Sequence, residues 1–255
     1  MVRTIIEAYP KEKRVIGEKD SSKILHVAEC FSNTIQGEGI NVGQPATFLR
    51  LQFCTLNCKW CDTTEVWRQG NPYTIEELLD VFEKNNVVED LRNGHHLVLT
   101  GGSPIKQQGM LIEFYNEIVK KHLFLPYIEI ENECTLMPSR QMSLIVNCWN
   151  NSPKLSNSGM NKELRYKPAI IKLLSTLNNS WFKFVISKEE DWKEIEDDFL
   201  NSDLIKRKQI ILMPEGQCQE ELNKKREMVM ELAVKENVRF TDRLHITIWN
   251  RKTGV

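Results

Sequence analysis

The chain lacks long apolar runs, an excess of either charge, extended basic tracts and a disulfide-type cysteine pattern, and each absence removes a class of function. No stretch approaches the roughly eighteen apolar residues a membrane span needs, and Met1 to Pro10 has no apolar core behind Arg3. Neither membrane insertion nor secretion is expected. Lys and Arg number 34 against 35 Asp and Glu, a net charge of -1, and no basic run exceeds the stretch Lys224, Lys225, Arg226. The diffuse positive surface that draws polynucleotides is therefore missing. Seven cysteines, an odd number, make poor material for a disulfide framework and suit a reducing compartment. The cytoplasm is the expected location, and a metal site the expected use of the cysteines.

What is present is an alternation of elements. A length of 255 residues suits one sizeable α/β domain, with a polar, irregular lead-in over 1–25 and the domain proper over 26–255. Short apolar runs at Ile24 to Phe31, Ala46 to Phe53, His96 to Thr100, Tyr127 to Glu131, Leu144 to Trp149, Trp181 to Ile186, Gln209 to Met213 and Leu244 to Trp249 predict strands. Helices are predicted between them, Ile75 to Lys84 behind the capping box Thr74 to Glu77, and Lys188 to Phe199 behind Ser187 to Glu190. The Lys/Glu runs within 188–198 and 220–235 read as solvated helix faces. Such alternation predicts a mostly parallel sheet, open or barrel-like, with functional loops at the carboxyl ends of its strands.

One loop in that position carries the strongest signal. Cys54, Cys58 and Cys61, spaced C-x3-C-x2-C, place three thiolates on a short turn behind a predicted strand. Iron-sulfur clusters usually take four cysteines, so a trio without a matching fourth leaves one iron open to another ligand. Structural zinc would want paired C-x2-C units or added histidines, which Cys30, Cys134, Cys148, Cys218 and the five histidines do not supply. Those four cysteines read as small buried hydrophobes.

The loop, with Trp60 before its last cysteine, resembles the hallmark of the radical S-adenosylmethionine superfamily, in which the cofactor's amino and carboxylate groups chelate the fourth iron. The segment FSNTIQGEGINVGQPATFLRLQFCTLNCKWCDTTEVW, residues 31–67, is similar to the 7-carboxy-7-deazaguanine synthases, and TGGSP, SPK, FKFVI, MPEG and RLHITIWNRKTGV follow in the same order from Thr100 to Val255. The resemblance implies a single-domain, incomplete TIM-like barrel with parallel strands, flanking helices and a C-terminal segment capping the substrate. It implies a 4Fe-4S cluster, S-adenosylmethionine and Mg2+ as cofactors, a flavodoxin-like or ferredoxin-like electron donor, and a homodimer. The implied reaction is ring contraction of 6-carboxy-5,6,7,8-tetrahydropterin with loss of ammonia, on the route to deazapurines such as queuosine. A glycyl-radical activase shares the cysteine loop but has no use for IQGEG or the RLH ending, and a binding protein keeping only the fold is the remaining alternative.

The resemblance also implies roles. Substrate would meet Ile35, Gln36, Gly37, Glu38, Arg50, Thr100, His245 and Val255, with Glu38, Arg50 and His245 serving catalysis. The residue types suit a carboxylated pterin, which needs in-plane donors and acceptors and a cation. Trp60, Asp62, Gly101, Gly102, Ser103, Ser152, Lys154, Met213, Pro214, Glu215 and Gly216 would hold S-adenosylmethionine, and Thr63 a Mg2+ completed by the substrate carboxylate. Taken singly, Arg50 reads as a surface ion pair, Glu38 as a solvated turn, Asp62 as a turn cap and His245 as a core histidine. Two blocks depart from the family. TGGEP is the usual form where Ser103 stands here, so either cofactor affinity is lower or another acid, such as Glu131, compensates. Where ETNGT is usual, the chain reads Glu131, Asn132, Glu133, Cys134, Thr135 and loses the glycine.

Overall fold

The computed structural model describes residues 2–8, 23–252 and 254. Among these residues ten strands form one sheet, and the order of its main path follows the chain. Strand β2 (Ile24–Ile35) carries β1 (Arg3–Ile6) and β4 (Asn71–Thr74) antiparallel on one edge and β3 (Pro45–Leu51) on the other. From β3 the sheet is parallel throughout, passing to β5 (His96–Gly101), β6 (Ile128–Asn132), β7 (Cys148–Asn151), β8 (Ser180–Ile186), β9 (Ile210–Pro214) and β10 (Arg239–Phe240). A sequential parallel order with helices in the connections is the winding of a TIM-type barrel. Among the described residues β10 pairs only with β9, so the barrel stays open.

Alternation along each strand divides the sheet into two faces. Leu49 and Leu51, Ile128 and Ile130, Phe182, Phe184 and Ile186, and Ile210 and Leu212 point into one hydrophobic core shared with the helices. Their neighbours Phe48 and Arg50, Glu131, Lys183 and Val185, and Met213 point the other way and line a cavity. The same period of two thus builds both the core and the polar interior. Ile75–Lys84 is helical behind the capping box at Thr74, as its sequence predicts.

Several elements differ from expectation. Leu244–Trp249 is a helix rather than a strand, because Arg239–Phe240 already occupies the edge of β9 and the Leu244 amide donates instead to Gly37 O at 2.8 Å. Strand β7 begins only at Cys148, since Arg140–Ile145 is a helix whose start is capped by Ser139 Oγ at 3.1 Å from the Met142 amide. Within 188–199 helix begins at Asp191, whose own carboxylate accepts from the Ser187 amide at 2.7 Å and leaves Ser187 no capping role. Strands β1, β4 and β10 are too short and too polar to register as apolar runs, and β1 lies inside the expected lead-in. Among the described residues no helix is long and apolar enough to cross a membrane.

Candidate active site

The cysteine loop leaves β3 through Phe53, which takes a left-handed backbone (φ 75°), an unusual conformation for an aromatic residue. Its amide donates to Trp67 O at 3.1 Å, which closes the loop at its base. Leu56 is buried as an anchor, the Lys59 amide donates to Ser158 O at 2.9 Å, and Trp60 Nε1 donates to Asn157 Oδ1 at 3.3 Å. The loop is thus pinned to the turn after β7, where Lys154 lies 5.3 Å from the Trp60 ring centroid and donates to Ser152 Oγ at 2.8 Å. Cys54, Cys58 and Cys61 are half-buried and line one cavity of about 390 Å³. Burial pushes the free Cys54 thiol up to about 11 and raises Cys58 as well.

Three thiols around one cavity fit a four-iron cluster, whose ligands attach to separate irons. A mononuclear ion would need convergence on a single point, and among the described residues no three His, Cys, Asp or Glu side chains provide it. Cys30, Cys134, Cys148 and Cys218 are buried away from this trio's role. Thr63 Oγ1 lies in the cavity wall 3.8 Å from Cys61 Sγ, a single neutral oxygen that cannot by itself hold Mg2+.

The opposite wall is a ladder of charge built on strand interiors. Glu38, after β2, is held between the Lys183 ammonium and Arg243 Nε at 2.8 Å, with His245 Nε2 at 3.9 Å. Burial alone would raise its carboxyl, but Lys183 and Arg243 hold it well below the usual carboxylate range. Lys183 also meets Glu131 at 2.9 Å, and burial, opposed only in part by Lys183, leaves Glu131 raised. Arg243 continues to Asp62 and donates to Gly216 O at 2.6 Å, joining the C-terminal segment to the cysteine loop and to the turn after β9. Burial raises the Asp62 carboxyl less than Arg243 lowers it. Burial lowers His245 below its ordinary 6.5, with Glu38 acting against it, so the ring is neutral near neutral pH. Gly37 is required here by proximity, because a Cβ would overlap the His245 ring. Across β2 and β3 the register pair Glu29 and Arg50 forms a half-buried ion pair at 2.6 Å.

Beneath this ladder Glu129 is fully buried yet saturated, accepting from Gln36 at 2.6 Å, Asn41 at 2.9 Å and Asn150, with His96 at 3.0 Å. Beside the cysteine loop, Gly101 and Gly102 pass so close to Leu51 and Phe53 that a side chain at either would collide with backbone. Ser103 is fully buried and donates to Glu133, not Glu131. Cys134 keeps the left-handed backbone (φ 67°) that the missing glycine would favour.

Of the residues singled out from the sequence, all line this one cavity except Ser103, which sits behind it, and Val255, which lies outside the described residues. Missing from the sequence reading were Glu29, Lys183, Glu133 and Arg243. Lys183 had a signal, a lone cation between the phenylalanines of an apolar strand; Arg243 stood within the RLH block, unweighed. Glu133 stood within the departing 131–135 block, an acid where ETNGT has Asn, and was given no role; Glu29 had no signal beyond its position.

A sequential parallel sheet with a three-thiol loop and a glycine turn over its carboxyl ends defines the class, an iron-sulfur enzyme of the radical S-adenosylmethionine type. Residues 35–129 match the family described as "4Fe-4S single cluster domain". A protein of Pyrobaculum aerophilum named 7-carboxy-7-deazaguanine synthase is 32% identical over 232 residues, covering 90% of this chain and 97% of that one. A Halobacterium salinarum protein of the same name is 27% identical, with 89% and 91% covered. The chain belongs to the 7-carboxy-7-deazaguanine synthase family. Its fold is shared with the crystal structure of QueE from Escherichia coli at a TM-score of 0.63 and 22% identity, over 87% of this chain and 95% of that one.

Proposed function

We propose that this enzyme converts 6-carboxy-5,6,7,8-tetrahydropterin into 7-carboxy-7-deazaguanine and ammonia, in the service of deazapurine synthesis. The observation that carries the proposal is the single cavity in which the cysteine loop faces the Glu38, Lys183, Arg243 and His245 wall. A cluster on Cys54, Cys58 and Cys61, with S-adenosylmethionine bound to it, would supply one-electron radical chemistry. The protein's part is to hold a polar ring in one orientation and keep water from it.

Glu38 is fixed as an anion and suits donors on the pterin, so its role is that of an acceptor and anchor rather than a proton donor. Neutral His245 can accept or give a single hydrogen bond beside it. Arg50, half-buried against Glu29, would meet the pterin carboxylate, with Gln36 and Thr100 contributing side-chain polarity and Ile35 and Gly37 the close wall. We place Mg2+ at Thr63 with the substrate carboxylate completing its shell, which couples metal and substrate binding. Gly101, Gly102, Ser152, Lys154 and Met213 to Gly216 would receive the cofactor. A small flavodoxin-like or ferredoxin-like donor would reduce the cluster, and the enzyme would work as a cytoplasmic homodimer.

The test is anaerobic turnover of cluster-loaded protein with carboxytetrahydropterin, S-adenosylmethionine, Mg2+ and a reductant. Carboxydeazaguanine should be found by mass, with S-adenosylmethionine spared from stoichiometric consumption. Iron and sulfide at cluster level with no such product would end the proposal. Omitting Mg2+ should raise the substrate KM, and sedimentation should report twice the chain mass.

A further inference from the structure

Glu133 is a carboxylate satisfied on one side only. It stands at the end of β6, is 6% exposed, and lines the cavity beside the cysteine loop. Three hydroxyls converge on Oε1: Ser103, Thr135 at 2.6 Å and Thr55 at 3.0 Å. Thr55 and Thr135 also touch each other at 2.6 Å, so the single Thr55 hydrogen serves either the carboxylate or the neighbouring hydroxyl. Oε2 is buried and has no hydrogen-bond partner among the described residues. All three partners are neutral, so they orient the charge without cancelling it. The nearby cation on the same wall, Lys154, is turned to Ser152 and Trp60 instead.

An unpartnered buried carboxylate oxygen costs folding free energy unless a ligand satisfies it. The three hydroxyls hold the carboxylate at the cavity wall, with its second oxygen buried and preformed as an acceptor. Its neighbours fix what it faces. Thr55 directly follows Cys54, and Ser103 directly follows the Gly101–Gly102 turn, so the acceptor sits where the cluster loop and the glycine turn meet. The partner such an oxygen calls for is an N–H donor. On S-adenosylmethionine the sulfonium has no hydrogen to give, whereas the amino group would keep two N–H hydrogens with its nitrogen bound to iron.

We propose that Glu133 accepts from the amino group of the amino-acid moiety of S-adenosylmethionine, with Ser103 acting as a positioning residue that orients the carboxylate. The assignment rests on the radical S-adenosylmethionine reading above and adds to it the residue that supplies the charge Ser103 cannot. Glu131 is not that residue, because Lys183, Gln36 and Asn150 already engage it.

The test is calorimetric binding of three probes to anaerobic, cluster-loaded protein: S-adenosylmethionine, S-adenosylhomocysteine, and methylthioadenosine, which lacks the amino-acid moiety. Glu133→Gln keeps the size of the side chain and removes its charge. Its Kd for the first two probes should rise at least tenfold, with methylthioadenosine binding unchanged and iron and sulfide content equal to wild type. Moving the acid, with Ser103→Glu added to Glu133→Gln, should recover a substantial part of the affinity, because residue 103 already contacts the carboxylate of residue 133. Equal affinity of Glu133→Gln and wild type for S-adenosylmethionine would overturn the assignment, as would equal weakening of all three probes. Wild-type protein that carries a cluster but binds none of the probes would overturn the radical reading along with it.

Discussion

Between Glu38 and Glu131 the Lys183 ammonium is 3% exposed, and its ionised form is favoured by both carboxylates against the cost of burial. Lys183→Met should leave two neighbouring acids without their shared cation, and breaking a buried pair in this way costs about 3 kcal/mol or more. Urea unfolding of the cluster-free protein should show that loss, and turnover should fall with it; an unchanged midpoint would mean the acids find other partners. His245 gives a pH signature at the same scale. Its folded value lies below its ordinary 6.5, so its contribution to stability is present above that value and is lost as pH falls through the folded one. Glu38, also depressed, responds only at lower pH, below its ordinary 4.5. The slope of stability between about pH 7 and about pH 5 should therefore be shallower in His245→Gln than in wild type. Parallel slopes would show that the ring does not titrate differently on folding. His26, lowered by burial too, contributes equally to both proteins and cancels in the comparison.

At the scale of elements, the helix Ile75–Lys84 is an independent check on local rules. The Glu77 amide donates to Thr74 Oγ1 at 3.1 Å and the Thr74 amide to Glu77 Oε2 at 3.0 Å. Thr74→Ala should cost about 1 kcal/mol in thermal unfolding while leaving KM for both ligands unchanged, since the helix takes no part in the cavity. This helix was legible because its start is written in adjacent residues. The cysteine loop was legible for the same reason, its chemistry residing in a spacing of a few residues. Leu244–Trp249 was not: Ile246, Thr247 and Ile248 favour a strand locally, and only the occupied edge of β9 and the Gly37 carbonyl turn them into a helix. Glu133 was illegible because its importance lies in meeting Ser103, 30 residues away, across two strand ends.

For the whole molecule, strand order is the simplest consequence of the βα alternation and could be read from it, whereas the opening between β10 and β1 was expected only from the resemblance. The charge wall follows from strand parity, which becomes visible only once register is known: a shift of one residue would turn Lys183 into the core and Phe184 into the cavity. Among the described residues the C-terminal segment adds no strand after β10, yet it brings Arg243 and His245 to Glu38. A chain ended after Asp242 should thus keep its circular dichroism and its cluster but lose pterin turnover and most pterin affinity. Loss of the cluster as well would make that segment part of the fold rather than its closure. The Glu38–Arg243 contact spans 205 residues, and this separation has a meaning for the timing of synthesis. During translation the cysteine loop and most of the sheet leave the ribosome before the residues that close the charged wall. A nascent chain can therefore gather its thiols before Glu38 meets Arg243.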